Sequence, residues 1–373
     1  MVSPTNPPGN RMIVLESVEE FAAIESAWNR LAATPSLTHE WALAWWRAFA
    51  PDGAFAALLV DEHGELRAGA SLVRRSSRVV ESAANEHTGD WDAIAADDSA
   101  RAALWRHLAT LPATTLRLTG VPGSSRSLSI ASEALHDSGF RTAVSRQQLS
   151  PFLTLPGSWD ELLARVSQNQ RSNVRRYRKR LEREGEIAFR TVRGPDLGRE
   201  LDRFYELEAS GWKGAAGTAI IRDASAHRLY TEFARAAAAK GWLRLHLLEL
   251  DGAPIAAAYG CVLGDAAFLL KSAFDERYRR LAPGTMLRAE ALRAAIAEGL
   301  SRYEFMGDAD QHKLQWGPEL RERSLLGAYR GSAVPAYVYR HRIRPLGRTL
   351  RDTLRGAAGS RARPREAGGA GSA

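Results

Sequence analysis

The sequence predicts an α+β fold built twice over, two modules that are each a mixed, mostly antiparallel sheet flanked by helices. Three observations lead there. Both halves run in the same order: a strand, two helices, an antiparallel hairpin, a further helix and a strand. The hairpins also match in sequence, LLVDEHGELRAGASLV from Leu58 against LLELDGAPIAAAYGCV from Leu247, about 190 residues apart and so half a chain. Finally, 373 residues are about two and a half times a usual domain of ~150, room for two modules with real cores.

The elements follow in chain order. MVSPTNPPGN has prolines where a signal peptide needs an apolar stretch, and residues 1–11 are read as a disordered start. MIVLE, from Met12, is a short strand, and Ser17 with Glu20 three residues on forms a capping box that opens a helix. A Trp-rich helix runs from Thr38 to Ala50, followed by the first hairpin, the strand TTLRLTGV, a helix from Ser124 and the strand FRTAVSRQQ. The first module is drawn at 12–157, and linking basic helices at 158–185. The second module, 186–331, opens with the strand EIAFRTV and two helices, and continues through the hairpin WLRLHLLELD and APIAAAYGCVLG. The strand DAAFLLKSAF, a helix from Gly284, and the strands SRYEFMG and RERSLLGAYRG complete it. Residues 332–356 are expected to form a C-terminal helix, and 357–373, rich in Gly, Ala, Arg and Pro with nothing to bury, a disordered tail.

Composition narrows the function. With 45% apolar and 25% charged residues the chain is an ordinary globular protein. No window of about 20 uncharged apolar residues suggests an integral membrane segment. One cysteine, Cys261, excludes a disulfide framework or a Cys-rich zinc site, and a reducing cytoplasm is the expected location. The nine histidines show no metal-ligand spacing, so no metal is expected, and phosphate-loop, G-x-S-x-G, HExxH and Rossmann motifs are missing from the sequence. The net charge of +8 is local: Asn169 to Glu184 carries seven Arg/Lys against two Glu, and Arg355 to Ala373 four Arg against one Glu. A general DNA-binding face is therefore not expected.

Three patches carry chemistry. In SPFLTLPGSWDELLARVSQNQRSNVRRYRKRLEREGE, Val174, Tyr177 and Leu181 can face inward. Arg171, Arg175 and their neighbours then form either a solvated surface or a cationic wall for a phosphate-bearing substrate. In LLELDGAPIAAAYGCVLGDAAFLLKSAFDERYRRLAPGTMLRAEAL, the run Arg279 to Thr285 stands between a strand and a helix start, where backbone N–H groups can hold an anion. Taken alone, Pro283-Gly284 is only helix punctuation. GLSRYEFMGDADQHKLQWGPE places Asp308, Asp310, His312 and Lys313 in a loop after a strand, a setting for proton transfer and anion binding, or simply a wet turn. Trp41 and Trp45, four apart, read as core packing or, if a groove runs between the modules, as its apolar lining.

The order and spacing of these patches resemble the CelD/BcsL, or BioF-like, acetyltransferase family, a tandem GNAT pair related to the FemABX peptidyltransferases, over Met12 to Gly331. The resemblance implies an acyl-CoA-dependent N- or O-acyltransferase, with acetyl-CoA the default donor and a small-molecule or glycan acceptor. Arg279, Arg280, Gly284 and Thr285, with Leu270 and Lys271 on the preceding strand, would hold the donor. Ala282 stands where the GNAT pattern has a glycine, and Pro283 removes one N–H donor. Asp308 would serve as proton acceptor or positioning carboxylate and Lys313 would hold an anionic group. Glu249, preferred over His246, is the alternative base, and Trp316 would prop the loop and line the substrate site with Arg171, Arg175, Trp41 and Trp45. Two rivals share the fold: a FemABX-like transferase using aminoacyl-tRNA, which is the less favoured partner, and a catalytically inactive binding protein.

Overall fold

The computed structural model describes residues 10–50, 52–193, 197–211 and 217–339. One sheet runs through both modules. In the first, β1 (Arg11–Leu15), β2 (Ala54–Val60), β3 (Leu66–Ser76) and β4 (Val79–Ser82) pair antiparallel in sequence order. The two-residue β5 (Ile94–Ala95) pairs with β3, and β6 (Thr115–Pro122) lies parallel to β4. A long strand, β7 (Arg141–Thr154), leads to the second module. There β8 (Ile187–Val192), β9 (Leu243–Leu250), β10 (Ala253–Leu263) and β11 (Ala266–Phe274) again pair antiparallel, and β12 (Arg302–Glu304) lies parallel to β11. The last strand is β13 (Glu319–Tyr329). The repeated pairing pattern is the duplication expected from the hairpins.

The modules share strands at their junction. Although β13 falls at the end of the second repeat in sequence, it runs between β6 and β7. β7 in turn pairs with β12 through Phe152 to Thr154. Each half of the sheet therefore closes on a strand shared with the other.

Alternation sorts the side chains. Along β2, Ala54, Ala56, Leu58 and Val60 enter one core while Phe55, Ala57 and Leu59 enter another, because successive residues point to opposite faces and helices cover both. The first of these cores extends into the second module, where it takes Leu243, Leu245 and Leu247 of β9. Its centre is the Trp-rich helix His39–Phe49, which Thr38 caps at Trp41 N (3.3 Å). Trp41 meets Tyr230 and Phe233 of the helix Ala224–Ala239 edge-on, with centroids 6.1 and 5.0 Å apart. Trp41 and Trp45 are fully buried here, so of their two readings the packing one holds and groove lining is corrected. Truncating either would cost about 3–5 kcal/mol, the usual range for a buried Trp.

The basic helix spans Gln168–Glu184, with Val174 and Leu181 buried as its spacing predicts. Of the expected C-terminal helix, Val334–Val338 is helical, and positions 340–356 lie outside the described residues, as do the N-terminal residues 1–9 and the tail. No helix among the described residues is long and apolar enough to cross a membrane.

Candidate functional site

The parallel strands β11 and β12 diverge beyond their short pairing, and a cleft of about 650 Å³ opens there. One wall is made by the end of β11 and the turn that follows. Asp275 accepts from Arg277 N (2.9 Å) and starts a 3-10 turn, Glu276–Leu281, that aims the chain back into a helix at Pro283–Ala297. Ala282 caps the turn with a left-handed backbone (φ 53°, ψ 50°). That conformation explains the glycine at this place in the GNAT pattern, and Ala adopts it at a cost of about 1–2 kcal/mol. The substitution therefore leaves the loop's path intact. No side chain caps the helix, and its first turn holds no acidic residue. Its open N-terminus is a place for negative charge.

The opposite wall is the loop after β12. Met306 and Gly307 both have positive φ (54° and 59°). Such a pair is costly for a residue like Met and persists only when neighbours hold it. Lys313 does so: its Nζ donates to Met306 O (2.9 Å) and Asp308 O (2.7 Å). Lys313 is 8% exposed, and burial holds its pKa below the ordinary lysine value. Behind the loop Trp316, fully buried, packs on Trp159 at 6.3 Å.

Asp308 stands at the cleft edge, and its Oδ1 accepts from Gln148 Nε2 (2.9 Å). Gln148 Oε1 accepts from Arg323 Nη1 (2.8 Å), which fixes the amide's orientation, and Arg323 Nε donates to Asp90 Oδ1 (2.6 Å). The carboxylate is thus aimed by a chain of groups from β7, β13 and the first module. On its far side lies a second cleft of about 690 Å³, at the fork of β4 and β6. Gly307 and Asp308 line both. The two clefts differ in chemistry: Leu269, Leu270, Phe274, Phe305 and Met306 line the first, whereas Ala84 is the only apolar side chain among the described residues lining the second.

Of the residues singled out in the sequence, Leu270, Lys271, Arg279, Gly284, Thr285, Asp308 and Lys313 come together around the first cleft. Others do not. Arg280 is exposed and away from the lining. Glu249 is buried in an ion-pair cluster, where Arg190 grips both its oxygens (2.8 and 3.1 Å) and Arg203 approaches at 3.8 Å. It is corrected from alternative base to structural acid, since a carboxylate so neutralised, outside the cleft, meets no substrate. Trp316 supports the loop but does not line the cleft. Arg171 caps the preceding helix by donating to Leu163 O and Ala164 O (both 3.2 Å), and Arg175 is exposed outside the cleft. Sequence reasoning missed Gln148 and Arg323, which only the strand exchange brings to Asp308, and Arg288. Arg288 lies four residues after Gly284, a spacing that puts both on one helix face.

Residues 168–314 match the acetyltransferase (GNAT) domain family. That stretch holds the basic helix, the turn before Pro283 and the loop through Lys313. A search of curated proteins returns no match. Among solved structures, a conserved protein of unknown function from Bacteroides thetaiotaomicron superimposes with a TM-score of 0.58 at 12% identity over 86% of this chain and 100% of that one. FemX gives 0.56 at 15% identity over 85% and 96% of the two chains. The C-terminal domain (DUF2156) of an Agrobacterium fabrum protein described as a lysylphosphatidylglycerol synthetase gives 0.55 at 13% identity over 87% and 97%. These likenesses establish the shared fold. The family match places an acetyltransferase (GNAT) domain over residues 168–314, most of the second module.

Proposed function

We propose that the chain moves an acyl group, acetyl by default, from coenzyme A to an amine or hydroxyl of a small-molecule, sugar or envelope-polysaccharide acceptor, as the CelD/BcsL resemblance implies. The observation that carries this reading is the uncapped start of the Pro283–Ala297 helix opening into the first cleft. Gly284 and Thr285 at that start, with Arg279 at the rim, suit a pyrophosphate. Leu270 and Phe274 offer apolar surface to the donor's arm. The thioester needs little covalent help, so the protein supplies proximity and a base. Asp308, shared by both clefts and held by Gln148, takes the acceptor's proton as its nitrogen or oxygen attacks the thioester carbon. The polar second cleft is then where the acceptor approaches. Lys313, spent on two carbonyls, shapes the loop.

A second reading, aminoacyl-tRNA as donor, is favoured by the exposed face of the basic helix, where Arg175, Lys179, Arg180 and Arg183 rise at helical spacing. A lipid acceptor, as in the name of the Agrobacterium neighbour, would enter by the same second cleft.

The test is release of free coenzyme A from acetyl-CoA with amines, amino sugars and glycans as acceptors. Asp308→Asn should lower turnover roughly 10²- to 10⁴-fold with donor affinity unchanged. Turnover equal to wild type would remove Asp308 from the chemistry. Binding of aminoacyl-tRNA but not of acetyl-CoA would select the second reading.

A further inference from the structure

Arg288 sits one turn into the Pro283–Ala297 helix, lines the first cleft, and is only 7% exposed. Among the described residues no carboxylate comes within salt-bridge reach of it. Its Nη1 donates to His312 O (3.1 Å), and its Nε has no partner. Arg178 of the neighbouring basic helix shows the usual arrangement instead, paired with both Glu182 and Glu290 at 3.0 Å. A buried guanidinium without a counter-ion is an expensive feature that selection for stability alone would remove.

Its surroundings add to the imbalance. Lys313, also buried, has Asp310 as its nearest acid at 3.4 Å, and that carboxylate is about half exposed. The other acids lining this cleft are engaged elsewhere or outlying: Glu208 accepts from Ile220 N (2.7 Å), Asp308 accepts from Gln148 Nε2 (2.9 Å), and Glu276 lies toward Arg279 at 4.0 Å. His312, at the same end, is held to about 4 by burial and by Arg288 and Lys313, so it stays neutral. One end of the cleft therefore gathers two buried cations and an uncapped helix N-terminus.

We propose that Arg288 is the anchor of an oxyanion site, receiving a phosphate or carboxylate group of the bound ligand in the fork of its guanidinium, with Lys313 and the helix start completing the field. The planar fork suits two oxygens of one group. Two sources offer that group: the donor's own pyrophosphate, or a carboxylate carried on the acyl chain, which would make Arg288 a selector for dicarboxylic acyl donors. Only the ligand's identity rests on the acyl-CoA reading.

The experiment measures calorimetric binding of inorganic pyrophosphate, coenzyme A, acetyl-CoA and succinyl-CoA to wild type and Arg288→Met, with thermal unfolding of both ligand-free proteins. The expected result is an affinity loss of at least tenfold for one or more ligands while Arg288→Met unfolds at the same or a higher temperature, since it removes an uncompensated charge and keeps the volume. Equal losses for pyrophosphate and coenzyme A assign the site to the pyrophosphate. Loss confined to the preference for succinyl-CoA over acetyl-CoA assigns it to a carboxylate. Should Arg288→Met not fold, Arg288→Lys, which keeps the charge without the fork, should bind with an intermediate affinity. The proposal is overturned if wild type binds none of the four, or if the folded variant binds all four within twofold of wild type. Binding of pyrophosphate without acetyl-CoA, lost on Arg288→Met, would sink the acyl-CoA reading and leave the anion site standing.

Discussion

Two helices cross between parallel strands at equivalent places in the modules, and their N-termini are used differently. The first, Asp98–Ala109, joins β4 to β6 and is capped by Asp97, whose Oδ1 accepts from Ala100 N (2.8 Å). That bond, above all, lowers the Asp97 pKa, and Arg67 pairs with the same carboxylate at 2.6 Å. With Asp98 in the first turn as well, this helix end already holds its anion and repels another. Its counterpart at Pro283 has no cap and no acid. Of the two equivalent helix starts, the first module's is thus closed by a side chain and the second module's is open. The first cleft, which the open helix start lines, is partly apolar, and the second, at the fork of β4 and β6, is polar. One chain thus presents two unlike pockets on either side of Asp308.

The contrast can be broken most sharply at Gly284. A Cβ there would meet only the Phe274 ring, at 3.4 Å, so Gly284→Val should fold, with its extra methyls in the cleft. Coenzyme A affinity should fall at least tenfold; an unchanged value would mean that the open helix end is not the donor site.

Acid offers the next test, through two histidines of the second module. His246 on β9 is buried against Phe189 and bonded to Thr191 Oγ1 (2.9 Å), and burial holds its imidazole at about 4, as it does for His312. In the unfolded chain both would titrate near 6.5. The unfolded state therefore binds more protons below that pH, and the stability these neutral rings contribute is complete above about 6.5 and lost as pH falls toward 4. The thermal midpoint should drop by several degrees between pH 7 and 5, and less in His246→Phe. A flat profile in wild type would show that neither ring is shielded as described.

The smallest effect belongs to the closed end. Asp97→Ala should cost about 1 kcal/mol, the usual worth of an N-cap, and leave coenzyme A affinity as it was. A rise in the number of bound coenzyme A molecules would show that the cap alone had closed the first module.

How far the sequence revealed all this depended on the range of the interactions. The hairpins, the basic helix and the loops at 279–285 and 307–316 were legible because turn residues, apolar periodicity and spacing are local signals. The exchange of β7 and β13 was not, since pairing between strands over 160 residues apart leaves no mark in either one. Gln148 and Arg323, whose positions depend on that exchange, were missed with it. Glu249 misled for a related reason. Alternation tells that it and His246 face opposite sides, but not that one side holds Arg190 and Arg203. Ala282 counted against a donor site as a letter and for one as a conformation, because the glycine pattern is a demand for positive φ that Ala can meet at a cost.

The central claim is that a single donor site exists, at the Pro283 helix start of the second module. Isothermal titration of the full chain with acetyl-CoA tests it most directly. A stoichiometry of one per chain, lost in Gly284→Val and kept in Asp97→Ala, is the expected result; two sites per chain, or one that survives Gly284→Val, would contradict it.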